Sequence, residues 1–258
     1  MNILVLGDIV GRVGRRGVKE VIPQILEQYS VDFIIANGEN AAGGNGITPE
    51  IARELFAAGI NVLTMGNHTW DKKEIFSFIN DDLRIIRPAN YPPGTPGQGY
   101  GIFKVKGKTI AVVNLMGRVF MSELDCPFRK MDDLLAELHN VDYIIVDFHA
   151  EATSEKVALG WYLDGRTSLV FGTHTHIPTA DERILPGGTA YITDIGMSGP
   201  LNSVIGVKTN LVLQKFLTQM PQRFESANGP YIVSGIMVKL GLDGKAYDIF
   251  RIQYIEKE

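Results

Sequence analysis

The chain has 258 residues, 45% of them hydrophobic and 21% charged, with a net charge of −4. This length and balance suit one globular domain, residues 1–258, with a sizeable core, and exclude a disordered or fibrous chain. The acidic charge excludes broad nucleic-acid binding by electrostatics alone, so any phosphate handled here needs positive charge supplied locally.

The chain opens on MNILVLGD, a short apolar run that predicts a first core strand over residues 2–6 rather than a signal peptide. A helix follows over residues 15–29, where Val18, Val21, Ile22, Ile25 and Leu26 form one apolar stripe. Arg12, Arg15 and Arg16 either touch phosphate or form a solvated helix start, and the second reading is preferred. Strand 33–36 leads into NGEN, and a helix over 48–58 opens with Thr48, Pro49 and Glu50 and closes at Gly59. Strand 62–65, helix 71–79 and strand 85–87 come next, then a Pro/Gly-rich loop over 88–101. Lys106-Gly107-Lys108 joins strands 101–105 and 109–114 in a hairpin. Helix 129–138, strand 143–148, helix 154–162 and strand 168–171 continue the alternation. Hairpins pair 180–185 with 189–193 and 231–240 with 246–254, with a helix over 207–217 between them. Trp70 and Trp161 read as core residues, and His139 as a solvated helix-end residue.

The βαβαβ pattern of the first 66 residues predicts parallel strands with right-handed crossovers, while the hairpins predict antiparallel pairs. The α/β chain therefore reads as two facing mixed β-sheets with helices outside. No apolar run is long enough to span a membrane. The single cysteine, Cys126, forms no intrachain disulfide and reads as an inert buried thiol, which suits a cytoplasmic setting.

The chemistry gathers where predicted strands end. GDIVG supplies Asp8, NGEN supplies Glu39 and Asn40, GNH supplies Asn67 and His68, DFH supplies His149, and GTHTH supplies His174 and His176. Four of the five histidines fall in these segments, and strand ends are where open α/β sheets build their sites. Alone, Asp8 would be a turn former and His149 a core histidine; together they gain weight. A ligand set of carboxylate, amide and imidazole without thiolate suits Mn, Fe or Zn. Asp8, Glu39, Asn40, Asn67, His149, His174 and His176 make seven candidate ligands, too many for one tetrahedral ion and suited to two. Two ions could clamp the attacking and leaving oxygens of a phosphoryl displacement. On extended backbone His174 and His176 would point the same way and serve one ion or adjacent ions. His68, beside Asn67, is placed to protonate a leaving oxygen. The 194–200 segment reads equally as pocket lining or as a plain turn.

These motifs resemble the calcineurin-like metallophosphoesterases, with two departures. Where those enzymes usually carry Asp-x-His, Asp8 is followed by Ile9 and Val10; where they carry a bridging Asp, NGEN supplies Glu39. Together with GDIVGRVGR, ANGENAAGGNGIT and DIGMSGP, the departures resemble the YmdB-like branch of bacterial phosphodiesterases, over residues 1 to about 199. The resemblance implies a metallophosphoesterase-type sandwich of two mixed sheets in four layers, α/β/β/α. It implies that Asp8, Asn40 and His176 bind a first metal, that Asn67, His149 and His174 bind a second, and that Glu39 bridges them. It implies two metal ions per subunit, Fe or Mn in preference to Zn, and His68 as the proton donor. The expected substrate is a small 2′,3′-cyclic nucleotide, opened to a 3′-nucleotide by hydroxide held between the ions. Two other readings stand beside it: a phosphomonoesterase or phosphoprotein phosphatase on the same site, and a nucleotide- or RNA-sensing regulator with low turnover. The 216–230 segment, with apolar anchors in a polar loop, points to a homo-oligomer, a dimer or tetramer.

Overall fold

In the computed structural model, which describes residues 1–256, the chain runs β1 (Asn2–Leu6), β2 (Asp8–Ile9), α1 (Gly11–Gln28), β3 (Phe33–Asn37), α2 (Pro49–Ala57), β4 (Val62–Thr64) and β5 (Ile85–Ile86). It continues through β6 (Tyr100–Val105), β7 (Lys108–Met116), α3 (Pro127–Glu137), β8 (Tyr143–His149), α4 (Thr153–Leu163), β9 (Leu169–Thr173), β10 (Arg183–Ile184) and β11 (Ala190–Ile192). β12 (Met197–Pro200), α5 (Thr209–Thr218), β13 (Tyr231–Leu240) and β14 (Ala246–Ile255) complete it.

Two mixed sheets form. In the first, β1, β3, β4 and β5 lie parallel, and β13 runs antiparallel beside β1. β14 pairs along the other side of β13. The second sheet has the order β10-β11-β9-β8-β7-β6, parallel at its centre and closed by antiparallel pairs at both edges.

The period-two pattern of the strands decides the layers. On β1, Ile3 and Val5 face the second sheet and meet Ile145, Leu169 and Phe171 in one buried cluster. Leu4 and Leu6 face outward into a separate cluster with Val18, Val21, Ile22 and Ile25 of α1 and Leu55 of α2. Ala111, Val113, Val146 and Val170, on the outer face of the second sheet, pack with Met131 and Leu134 of α3 and Leu159 of α4. The result is the expected α/β/β/α order. Truncating one inter-sheet residue such as Ile145 to Ala costs about 2–5 kcal/mol.

Four local features differ from the expectation. α1 starts at Gly11 rather than residue 15. Gly14 is a close-packing residue, since a Cβ there would lie 2.1 Å from the Ser198 carbonyl oxygen. The predicted 71–79 helix is only a 3₁₀ segment, Lys73–Ser77; Asp71 at its start is held by His68 Nδ1 at 2.8 Å and Asn45 Nδ2 at 3.0 Å. Trp161 is half exposed, with the Arg183 guanidinium 5.5 Å from its ring, and is not core. Cys126 is half-buried, 3.5 Å from an Arg118 nitrogen. Among the described residues no helix is long and apolar enough to cross a membrane.

Candidate metal centre

Parallel strands point their C-terminal ends one way, and here both sheets do so at the same end of the sandwich. β1 and β2 deliver Asp8, the turn after β3 delivers Glu39 and Asn40, and the turn after β4 delivers Asn67 and His68. From the second sheet β8 ends on His149, and His174 and His176 follow β9. All eight candidate residues therefore meet at one place.

Four of them form a tight cluster. His149 Nε2 lies 2.9 Å from Asn67 Oδ1, 3.0 Å from Glu39 Oε1 and 3.1 Å from His174 Nδ1. Glu39 and His149 are fully buried. Gly66 leaves room for this crowding: a Cβ there would sit 2.3 Å from His149 Nε2 and 2.5 Å from Glu39 Oε2. The second group is Asp8, Asn40 and His176. His176 Nε2 lies 3.3 Å from Asn40 Oδ1 and 3.9 Å from Asp8 Oδ1. His176 Nδ1 donates to the Ile205 carbonyl at 2.8 Å, which leaves the lone pair on Nε2, facing the group.

The two GTHTH histidines do not point the same way. Both have left-handed backbone, φ 96° at His174 and 65° at His176, where extended backbone was expected. The turn sends His174 to the His149 cluster and His176 to the Asp8 group. Such conformations cost non-glycine residues about 1–3 kcal/mol, and where they persist the surroundings hold them in place.

The electrostatics are those of a site short of positive charge. Burial pushes Asp8 up to about 6, opposed by His176 and His149. Burial would also raise Glu39, but the His149 charge and hydrogen bond hold it down at about 2. Burial would lower His149, yet Glu39 and Asp8 lift it to about 9. Burial and the His149 charge lower His174 to about 3, so its ring is neutral with a lone pair available.

The donors fit a divalent cation. One ring N–H cannot serve the three acceptors around His149 Nε2, whereas ligand bonds of about 2.1 Å at right angles place neighbouring donors about 3 Å apart. Asp8 Oδ1 is a buried carboxylate oxygen with no hydrogen-bond partner, a costly arrangement that a cation would relieve.

A family model described as a YmdB-like protein matches residues 4–252. The chain belongs to the YmdB-like family. A Bacillus subtilis 2′,3′-cyclic-nucleotide 2′-phosphodiesterase is 53% identical to it over 241 residues, 93% of this chain and 91% of that protein. A crystal structure from Thermus thermophilus superposes with a TM-score of 0.95 at 44% identity, covering 100% of both chains. A Mycoplasma pneumoniae structure described as a novel phosphatase gives 0.95 at 34% identity, covering 100% of this chain and 94% of that one. The YmdB-like chain is thus an enzyme of the metallophosphoesterase class.

Around the donors this YmdB-like enzyme carries supporting groups that its motifs did not reveal. His149 Nδ1 meets Thr173 Oγ1 at 2.9 Å, and that hydroxyl donates to Asp147 Oδ1 at 2.7 Å. With its only hydrogen committed to Asp147, Thr173 must accept from His149 Nδ1–H, so Nε2 is the nitrogen that would offer its lone pair to a bound cation. Burial pushes Asp147 up to about 7, against His149 and the two threonine hydroxyls of Thr64 and Thr173. A carboxylate inside the apolar strand YIIVDFH was the available signal. Glu151 lies 3.0 Å from His174 Nε2. Lys156 donates to the Thr173 carbonyl at 2.7 Å and to Asp194 Oδ2 at 2.6 Å. The segment after Asp194 is no plain turn, because β12 pairs in parallel with β2 and sets the position of Asp8.

The arginines of α1 stay outside. Arg15 binds the Ala41 carbonyl and Glu54, and Arg16 binds Glu256 and the Gly229 carbonyl. His139 is exposed and touches only its own helix end and Asn140, as expected.

Proposed function

We propose that this enzyme hydrolyses 2′,3′-cyclic nucleotides to 3′-nucleotides with two bound metal ions, Fe or Mn in preference to Zn. The observation that carries the reading is the buried Glu39 carboxylate, set among His149, Asn67 and His174 on one side and followed by Asn40 of the Asp8–His176 group, in a chain 53% identical to a 2′,3′-cyclic-nucleotide 2′-phosphodiesterase. Asn67, His149 and His174 would hold one ion and Asp8, Asn40 and His176 the other, with Glu39 reaching both. Bound there, the ions acidify a water and neutralise charge on the phosphoryl oxygens.

The chain's own groups do the positioning and the proton work. Asp71 Oδ2 occupies His68 Nδ1 at 2.8 Å, which leaves Nε2 as the working nitrogen. His68 lines the same pocket as Glu39, Asn40, His174 and His176. A water oxygen adds to phosphorus opposite the P–O2′ bond and gives up one proton to solvent. That bond breaks with its electron pair on O2′, which takes the proton from His68 Nε2 and leaves the phosphate on the 3′-oxygen. The His68 backbone N–H donates to Glu39 Oε2 at 2.9 Å, tying proton donor and carboxylate into one unit.

Turnover of a panel holding 2′,3′- and 3′,5′-cyclic nucleotides, nucleoside monophosphates and phosphotyrosine tests this. Preference for 2′,3′-cyclic esters is expected. Preference for monoesters would favour a phosphomonoesterase, the reading supported by the Mycoplasma pneumoniae relative described as a phosphatase. A homo-oligomer remains part of the reading, supported by the exposed Leu213, Phe216, Leu217 and Met220 in and after α5. So does a cytoplasmic setting, supported by the lone free thiol.

A further inference from the structure

The pocket over the candidate ligands is larger and less polar than a phosphate needs. It holds about 480 Å³, inside the range of about 300–1,000 Å³ typical of small-molecule sites. Its floor is polar, made by Glu39, Asn40, His68, His174 and His176. Its apolar wall is made by Ile205, Val207 and Phe224, with Glu225 and Ser226 beside them. Phe224 is an aromatic side chain left half exposed at this wall. Among the exposed large apolar side chains, Phe224 lines the same pocket as the polar donors, so its ring is available to a ligand with a flat apolar face.

The backbone holds Phe224 in fixed relation to the ligands. His176 Nδ1 donates to the Ile205 carbonyl at 2.8 Å. Val207 bridges Ser226 in antiparallel fashion, Lys208 N donates to the Glu225 carbonyl at 3.0 Å, and Ala227 N to the Gly206 carbonyl at 2.9 Å. On the opposite side Ser226 packs against the loop after Asn40; a Cβ on Gly44 would meet its Oγ at 2.7 Å. The segment carrying Phe224 therefore spans from the His176 turn to the Asn40 loop.

We infer that Phe224 is the stacking platform of a nucleobase subsite, with the phosphate on the polar floor and the base against the aromatic wall. The inference rests on the nucleotide reading of the site and adds to it the feature that tells a nucleotide from a bare phosphate ester. Every base has a π-face, so such a platform accepts several bases and gives affinity rather than sequence choice.

The test is calorimetric titration of the metal-loaded full chain with 3′-AMP and, separately, with inorganic phosphate, for wild type, Phe224→Ala and Phe224→Trp. Phe224→Ala should weaken 3′-AMP about tenfold and move phosphate by less than twofold, while Phe224→Trp keeps 3′-AMP binding. Equal losses for both ligands in Phe224→Ala, or unchanged 3′-AMP binding, would overturn the subsite. Wild type that binds 3′-AMP with this dependence on Phe224 yet does not open 2′,3′-cyclic nucleotides would sink the proposed reaction and leave the subsite standing.

Discussion

Lys156 Nζ lies 2.6 Å from Asp194 Oδ2, both side chains are fully buried, and between them they hold the turn that carries His174 and His176. Lys156 takes the Thr173 carbonyl, and Asp194 accepts from the Thr175 N–H at 3.2 Å and its hydroxyl at 2.7 Å. The two left-handed histidines thus sit in a turn fixed from below by a desolvated ion pair. Lys156→Met should cost about 3–5 kcal/mol, because it strands the Asp194 charge, and should also weaken Mn²⁺ binding. Melting curves with and without Mn²⁺, together with Mn²⁺ titrations of Lys156→Met and of Lys156→Met/Asp194→Asn, check this. A lowered Tm with wild-type Mn²⁺ affinity in both variants would reduce the pair to a core feature.

Asp147 acts on His149 through one hydroxyl. Asp147→Asn and Thr173→Val should each lower metal affinity about 10–100-fold, the usual effect of losing such a partner. The fold should survive in both, since the apolar neighbours Val146 and Phe148 are untouched. Equilibrium dialysis followed by elemental analysis reads the effect, and full metal content in both variants would speak against the relay.

The role proposed for His68 is proton transfer and not metal binding. His68→Ala should lower kcat on 2′,3′-cAMP by about 10²–10⁴ with metal content unchanged. A diester with a 4-nitrophenolate leaving group, which needs no proton, should lose far less. Comparable losses on both substrates, or loss of metal, would place His68 elsewhere in the mechanism.

Much of this was legible because the sheet pattern is regular. Asp8, Glu39, Asn67, His149 and His174 each follow a buried apolar run, so the strand ends and the candidate donor types could be read together. Two facing sheets with helices outside followed from the βαβαβ alternation of the first half together with the hairpins of the second. Other parts were hidden for physical reasons. β2 has two residues, and β12 is MSGP, which reads as a turn until β2 and β13 flank it. Lys156 sits in an ordinary helix pattern, and only tertiary contact shows that its ammonium is buried. The divergence of His174 and His176 depends on φ values that a two-residue spacing does not reveal.

Glu39 carries the binuclear reading. Glu39→Gln keeps the shape and removes the charge proposed to serve both groups, so turnover should fall by about 10²–10³ or more and metal content should drop by at least one equivalent. Wild-type metal content and turnover in Glu39→Gln would refute the bridging role.

The most direct test of the whole account is product analysis of 2′,3′-cAMP incubated with the metal-loaded enzyme, the chelator-stripped enzyme and the stripped enzyme reloaded with Mn²⁺. The account predicts 3′-AMP as the product, lost on stripping and restored on reloading. Undiminished hydrolysis by the stripped protein, or release of 2′-AMP, would contradict it.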